Sequence, residues 1–209
     1  MSSYSIQSQN LSKSFGRRLI FNYINFIWKE NGIFGISGPN GSGKSTLVKI
    51  IAGLIAPSSG KIIHKNSETD IIPEKLHNHI GFVSPYLVLY EEFSAMENLL
   101  IFAKIRDIPF NKEKIIYYLN EFLLENRKDD LVKTYSSGMK QRLKFVFALM
   151  HSPDVLIFDE PTSNLDEDGK KVVYKIISDE GKNRLVIVAS NEFKDLELCN
   201  EVLYLEKFK

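Results

Sequence analysis

"GIFGISGPNGSGKSTLVKIIAGLI", residues 32–55, decides the fold. Gly32 to Ser37 is a short apolar run of the kind found in strands covered on both faces. GPNGSGKST follows from Gly38 to Thr46, and from Leu47 onward apolar residues recur at helical spacing. Strand, glycine-rich loop and helix in that order form the phosphate-binding unit G-x-x-x-x-G-K-[ST]. Gly38, Gly41 and Gly43, with Pro39, Asn40 and Ser42 between them, let backbone N–H groups turn inward toward phosphate oxygens. The helix that starts at the loop adds the positive end of its dipole. Lys44 brings a mobile point charge to the β- and γ-phosphates, Ser45 offers its hydroxyl to Mg²⁺, and Thr46 completes the match. The unit specifies nucleoside triphosphate binding and leaves open what the binding is for.

A second strand end carries acids. In "VLIFDEPTSNLD" an apolar run leads directly into Asp159 and Glu160. Strand alternation is expected to point the two in different directions. Asp159 is then placed to complete a Mg²⁺ shell, through water, and Glu160 to orient and deprotonate an attacking water. Pro161 stops the strand, and "TSNLD" brings Asp166 round in a turn. A third run, Leu185 to Ala189, reads as a buried strand ending at Ser190 and Asn191. Ligands of open α/β sheets lie outside the carboxyl ends of strands, so Asn191 is a candidate contact. The other reading of Asn191 is the N-cap of a helix over EFKDLELC.

Working outward, the rest is consistent with one α/β domain interrupted by helices. "PSSGKIIHKN" reads as a turn and an exposed strand, and "HIGFVSP" as another strand entry. From about residue 86 to 150, "SAMENLLIFAKI", "KEKIIYYLNEFLLENRKDD" and "GMKQRLKFVFALM" all carry helical periodicity. The expected organisation is one domain over residues 1–209, with a core of 1–85 and 151–209 around a helical insert. Its 209 residues, 44% hydrophobic and 25% charged, suit a folded domain. Lys plus Arg number 27 against 26 Asp plus Glu, a balance that argues against a nucleic-acid partner. Cys199 is the single cysteine, so no disulfide framework exists within the chain. It is read as lying in a late helix, buried and inert. The stretch MSSYSIQSQNLSKSFG has no apolar signal core and no run is long enough to span a bilayer. His77 and His79 in "LHNHIGF" read as a polar loop rather than a metal site.

Together these segments resemble the ATP-binding cassette (ABC) ATPases over almost the whole chain. GPNGSGKST is similar to their phosphate loop, LIFDEP to their magnesium and catalytic-acid strand, and SNLD to the loop after it. "YSSGMKQR" (Tyr135–Arg142) resembles the family signature, usually LSGGQ, with Ser137 for a Gly and Met139 for the Gln. The resemblance implies a P-loop core with a mostly parallel sheet, an N-terminal antiparallel subdomain and an inserted helical subdomain. It implies ATP and Mg²⁺ as ligands and head-to-tail pairing with a second cassette, a copy of this chain or a paralogue. Ser136, Ser137, Gly138 and Met139 would then face the partner's ATP, with a helix N-terminus toward the γ-phosphate. Phe15 stands where the family stacks an aromatic on adenine; a core aromatic is the other reading.

Two positions depart from the family. Pro85 stands where a Gln normally reaches Mg²⁺ and relays the nucleotide state; a shift of one residue offers Ser84 instead. Asn191 replaces the switch His, keeping an amide donor without charge or proton transfer. The implied function is a cytoplasmic ATPase subunit, peripheral on the inner face of the membrane through an integral membrane transporter subunit, and slow because of these two replacements. Its size and SSGMKQR resemble export-type, haem-exporter-like subunits. A nucleotide-gated binding module that scarcely hydrolyses, and a soluble ABC ATPase unconnected with transport, are the alternatives. The residues leave the cargo, the direction of transport and the membrane partner open.

Overall fold

The computed structural model describes residues 4–29 and 31–209. Two long strands, β1 (Tyr4–Phe15) and β2 (Arg18–Lys29), open the chain as an antiparallel pair. Then come β3 (Gly32–Ser37), α1 (Lys44–Ile51), β4 (Ser59–Asn66) and the short β5 (Thr69–Asp70). Next are α2 (Leu76–His79) and β6 (Ile80–Val83), before three helices in succession: α3 (Ala95–Ile105), α4 (Lys112–Glu121) and α5 (Ser137–Leu149). β7 (Val155–Asp159), α6 (Glu167–Gly181), β8 (Leu185–Ser190), α7 (Phe193–Leu196) and β9 (Glu201–Tyr204) complete it.

The strands form two sheets. One is antiparallel in the order β2-β1-β4-β5, and the other is parallel in the order β6-β7-β8-β3-β9. The expected mixture of a mostly parallel core and an N-terminal antiparallel unit is observed.

The apolar runs at β7 and β8 split by period two between the faces of the parallel sheet. Val155, Ile157, Leu185, Ile187 and Ala189 join the core that contains Leu47, Val48 and Ile51 of α1 and the antiparallel sheet's Ile6, Phe21 and Trp28. Leu156, Phe158, Val186 and Val188 join the other core, with Phe145 and Leu149 of α5 and Val173 and Ile177 of α6. Both faces are thus covered, which is why these strands show no polar alternation.

Several local expectations are adjusted. The helix after the phosphate loop ends at Ile51, because Gly53 turns left-handed at φ 73°. The expected helix over residues 112–130 stops at Glu121; Leu123 takes φ 57° and the chain passes into one turn of 3₁₀ helix at Glu125–Arg127. His77 and His79 lie in α2, not a loop, and His79 Nδ1 sits 2.6 Å from Asp154 Oδ2. Cys199 follows α7 rather than lying in it and is half-buried; burial first, then Asp195, pushes its thiol up to about 12. Within the helical region, Ser94 caps α3 in a reciprocal box with Glu97. The buried Asn98 amide donates to Tyr90 O and Ser94 O, each at 2.8 Å, and fixes the loop that leads into that helix.

Candidate nucleotide site

The carboxyl ends of β3, β7 and β8 meet at one edge of the parallel sheet, and a cavity of about 870 Å³ opens there. Asn40, Gly41, Gly43, Lys44, Ser45 and Thr46 of the loop between β3 and α1 line it, with Glu160 and Asn191. Phe15 also lines it and is 53% exposed, with the Lys13 ammonium 4.8 Å from the centre of its ring. The core-aromatic reading of Phe15 is therefore set aside.

Glycine is required in the loop for space. A Cβ on Gly43, at φ 108°, would stand 2.5 Å from Ile20 Cγ2. One on Gly38 would stand 2.6 Å from Ser42 Oγ. Gly38, Pro39 and Ser42 do not line the cavity: Pro39 is exposed and Ser42 buried. Gly38 O accepts from Lys44 Nζ at 2.8 Å, and Pro39 O accepts from Ser42 N at 3.0 Å.

The acids do not alternate along a strand as expected. β7 ends at Asp159, and Glu160 adopts φ 51°, a left-handed conformation costly for a bulky residue. Backbone bonds hold it there: Glu160 N donates to Ala189 O at 2.8 Å, and Ser163 Oγ donates to Glu160 O at 2.9 Å. This kink, not the pleat, aims the Glu160 carboxylate into the cavity, 3.1 Å from Lys44 Nζ.

Asp159 is fully buried. Its Oδ1 accepts from Ser45 Oγ at 3.1 Å, while Oδ2 is buried without a hydrogen-bond partner. Burial pushes this carboxyl above its ordinary range, against the opposing hydrogen bond from Ser45. An anionic oxygen left without a donor, beside a hydroxyl and a phosphate-type loop, suits a hard divalent cation such as Mg²⁺. Ser45 and Asp159 are the residues that would hold it.

Asn191 is exposed and its Nδ2 donates to Asn40 Oδ1 at 3.4 Å. It caps nothing: the cap position of α7 is Glu192, and that helix is a single turn. Pro85 lines the cavity, whereas Ser84 is buried and its Oγ accepts from Tyr86 N at 3.3 Å. The shifted register that would put Ser84 in the cavity is corrected accordingly.

Ser136, Ser137, Gly138 and Met139 stand apart from this cavity, at the start of α5. Ser136 Oγ accepts from Met139 N at 3.2 Å as the N-cap, and both serines are exposed. Met139 is half-buried and packs on the helical core. Asn164 O passes 3.2 Å from where a Gly138 Cβ would be, so the start of α5 and the turn after Glu160 abut. Asp166 caps α6 through Gly169 N at 2.8 Å.

Residues with no motif of their own complete the site. Arg18, Thr162, Lys170 and Glu192 line the cavity. Beneath it, the fully buried Asp195 accepts from Ser190 Oγ at 2.7 Å, Thr162 Oγ1 at 3.0 Å and Tyr174 Oη at 2.9 Å. A charged residue inside the short segment after β8 was the only available sign of that hub.

A loop of backbone amides and one lysine, a buried carboxylate beside a serine hydroxyl and a second carboxylate aimed inward are the groups that a triphosphate, a divalent cation and an attacking water would each require. The family model described as "ABC transporter" matches residues 21–163. The chain belongs to the ABC transporter family. The ABC cassette is 32% identical over 201 residues to the linearmycin resistance ATP-binding protein LnrL of Bacillus subtilis, covering 94% of this chain and 65% of that one. It is 34% identical to the lantibiotic transport ATP-binding protein SrtF of Streptococcus pyogenes, covering 92% of this chain and 82% of that protein. Among solved structures it superposes on a putative ABC transporter ATP-binding protein from Pyrococcus furiosus with a TM-score of 0.84 at 25% identity, over 98% of this chain and 99% of that chain. The dimeric cassette MJ0796 matches with a TM-score of 0.82 at 23% identity over 95% and 93%, a likeness of fold. No helix among the described residues is long and apolar enough to cross a membrane.

Proposed function

We propose that this ABC cassette is the ATP-hydrolysing subunit of a transporter, working as a head-to-tail pair on a separate membrane protein. The observation that carries the reading is the convergence of Phe15, Lys44, the Ser45–Asp159 pair, Glu160 and Asn191 on one cavity. In this reading Phe15 stacks on adenine and the loop amides with Lys44 hold the phosphates. Ser45 and Asp159 hold Mg²⁺, which when bound neutralises charge on the phosphate oxygens. Glu160 orients the attacking water and accepts its proton. Ser136, Ser137, Gly138 and Met139 serve the ATP of the partner cassette, consistent with an exposed helix start away from their own cavity.

Residues 86–150 are the helical insert in this proposal, and residues 1–85 and 151–209 the core. The insert presents a surface for the membrane subunit: Tyr86, Val88, Tyr90 and Ile105 are 71%, 85%, 56% and 69% exposed. Tyr86, Val88 and Tyr90 lie within five residues of one loop, the run in this proposal that meets the membrane subunit. The subunit would then sit on the cytoplasmic face. Export is favoured by the Nod factor export ATP-binding protein I of Rhizobium, 33% identical over 99% of this chain and 69% of that protein.

A slow enzyme is favoured by Asn191, which offers an amide where a cation would help, and by Pro85, which has no side-chain donor or acceptor. The test is steady-state MgATP turnover by the purified chain and by Glu160→Gln, repeated with the membrane protein that co-purifies. Turnover abolished in Glu160→Gln supports the assignment. Absence of both MgATP binding and turnover with the membrane partner present would refute it.

A further inference from the structure

Between β6 and α3 the chain makes a tight turn at Ser84–Leu87, closed by Leu87 N donating to Ser84 O at 3.2 Å. Pro85 occupies its second position, where a fixed φ is suited. Pro85 and Tyr86 line the nucleotide cavity. Two lysines grip this turn from different helices. Lys49 of α1, the helix that opens on the phosphate loop, holds its ammonium 4.8 Å from the centre of the Tyr86 ring. Lys144 of α5, the helix that opens on Ser136, donates to Pro85 O at 2.9 Å and to Ser84 O at 3.3 Å.

Lys144 is the unusual member. It is only 8% exposed, and it takes part in none of the ion pairs among the described residues, although its neighbour Lys140 pairs with Glu91. Burial pulls its ammonium below the ordinary lysine value. A buried cation without a counter-ion is a stability cost that an apolar side chain of the same length would avoid. The turn offers mainly carbonyls, which only accept. An ammonium with three donors on a flexible stem can hold two of them at once.

Resting on the reading of the cavity as an MgATP site, we propose that Lys144 is a positioning residue that ties the Ser84–Leu87 turn to α5, so that the nucleotide state of the cavity is felt at Ser136–Met139. The physical chain runs from the phosphate loop along α1 to Lys49, across the Tyr86 ring to the turn, and from the Pro85 carbonyl through Lys144 into α5. It needs no side-chain group from Pro85. It also joins the two places a cassette pair would use: its own cavity, and the helix start that meets the partner's nucleotide.

Amide hydrogen exchange of the full chain, with and without MgATP, tests this in the wild type, Lys144→Met and Lys144→Arg. Residues 38–46 report binding, and residues 137–140 report transmission when exchange is run at a protein concentration where light scattering shows the chain monomeric with MgATP, so that no partner nucleotide covers them. In the wild type MgATP should slow exchange at both stretches, by roughly threefold or more at 137–140. Lys144→Met, near-isosteric and uncharged, should keep the response at 38–46 and lose that at 137–140, with no lower unfolding temperature. Lys144→Arg should keep both. If Lys144→Met does not fold, Lys144→Gln is read by the same criteria. A wild-type response at 137–140 in the neutral variant overturns the proposal. So does its loss in both the neutral variant and Lys144→Arg, which would assign the effect to packing. No MgATP response at 38–46 in the wild type would instead refute the nucleotide reading, and the proposal with it.

Discussion

Replacing Asp195 by alanine should destabilise the fold by about 3 kcal/mol. Asp195 is fully buried and accepts three hydroxyls, from Ser190 at 2.7 Å, Thr162 at 3.0 Å and Tyr174 at 2.9 Å. Ser190 is 0% exposed, and Thr162, though it borders the cavity, only 4%, so water reaches little of either when the carboxylate goes. Each buried hydroxyl left without its acceptor costs roughly 1–3 kcal/mol, which gives about 2–6 kcal/mol for the pair. Relief of the carboxylate's own desolvation lowers the sum, and Ser190 keeps a contact to Glu160 Oε2 at 3.5 Å. The lower half of the range is therefore expected. Asp195→Asn keeps one acceptor and the side-chain volume, and should lose about 1 kcal/mol. Urea unfolding at neutral pH measures both, with an unchanged m value required for the comparison. Turnover should fall beyond the stability loss, because Ser190 precedes Asn191 and Thr162 stands between Glu160 and Asn164. An alanine variant within about 0.5 kcal/mol of the wild type would refute the hub, since that is the scatter of ordinary surface substitutions.

Asn191→His should raise MgATP turnover, by up to about 10²-fold, because it restores a cationic donor at the cavity edge; an unchanged or lower rate would remove Asn191 from the switch role. Gly43→Ala should cost about 2–4 kcal/mol and abolish nucleotide binding, because its Cβ would meet Ile20 Cγ2 at 2.5 Å in a left-handed backbone; calorimetric titration with MgATP checks it, and near-native affinity would contradict the loop geometry. Acid should destabilise the fold through His64. That ring is 3% exposed between Tyr4 Oη at 3.0 Å and Ile51 O at 2.9 Å, and burial pulls it down to about 4. The unfolded chain binds a proton below pH about 6.5 that the folded ring refuses, so stability is flat above that pH and falls as pH drops toward 4. About 2 kcal/mol should be lost between pH 7.5 and 5 from His64, with His151 acting in the same direction, and His64→Gln should flatten the urea-midpoint profile. An equally steep profile in that variant would disprove the assignment.

Much of the site was legible because its chemistry is local. A phosphate loop needs particular residues at consecutive positions, so GPNGSGKST identified both the loop and the strand and helix beside it. Asp159, Glu160 and Asn191 were findable because each stands at or just past the end of an apolar strand, and parallel strands deliver their carboxyl ends to one edge. The orientation of Glu160 was not, because it depends on a left-handed residue held by β8 through Ala189 O. The extent of α4 and the true cap of α7 were also missed: apolar spacing continues past a helix end whenever the next turn packs on the same core.

The sequence by itself determined the fold class, the G-x-x-x-x-G-K-[ST] loop and the two acids at a strand end, since all of these are written in contiguous residues. Only the tertiary structure decided that Asp195 gathers Ser190, Thr162 and Tyr174, that Ser84 is buried while Pro85 faces the cavity, and that Lys144 reaches the turn beside it. Those partners lie up to 60 residues apart along the chain. Nothing in the spacing of residues announces a contact made by packing two helices and a sheet together. A buried charge reveals its purpose only when the groups that satisfy it are in view.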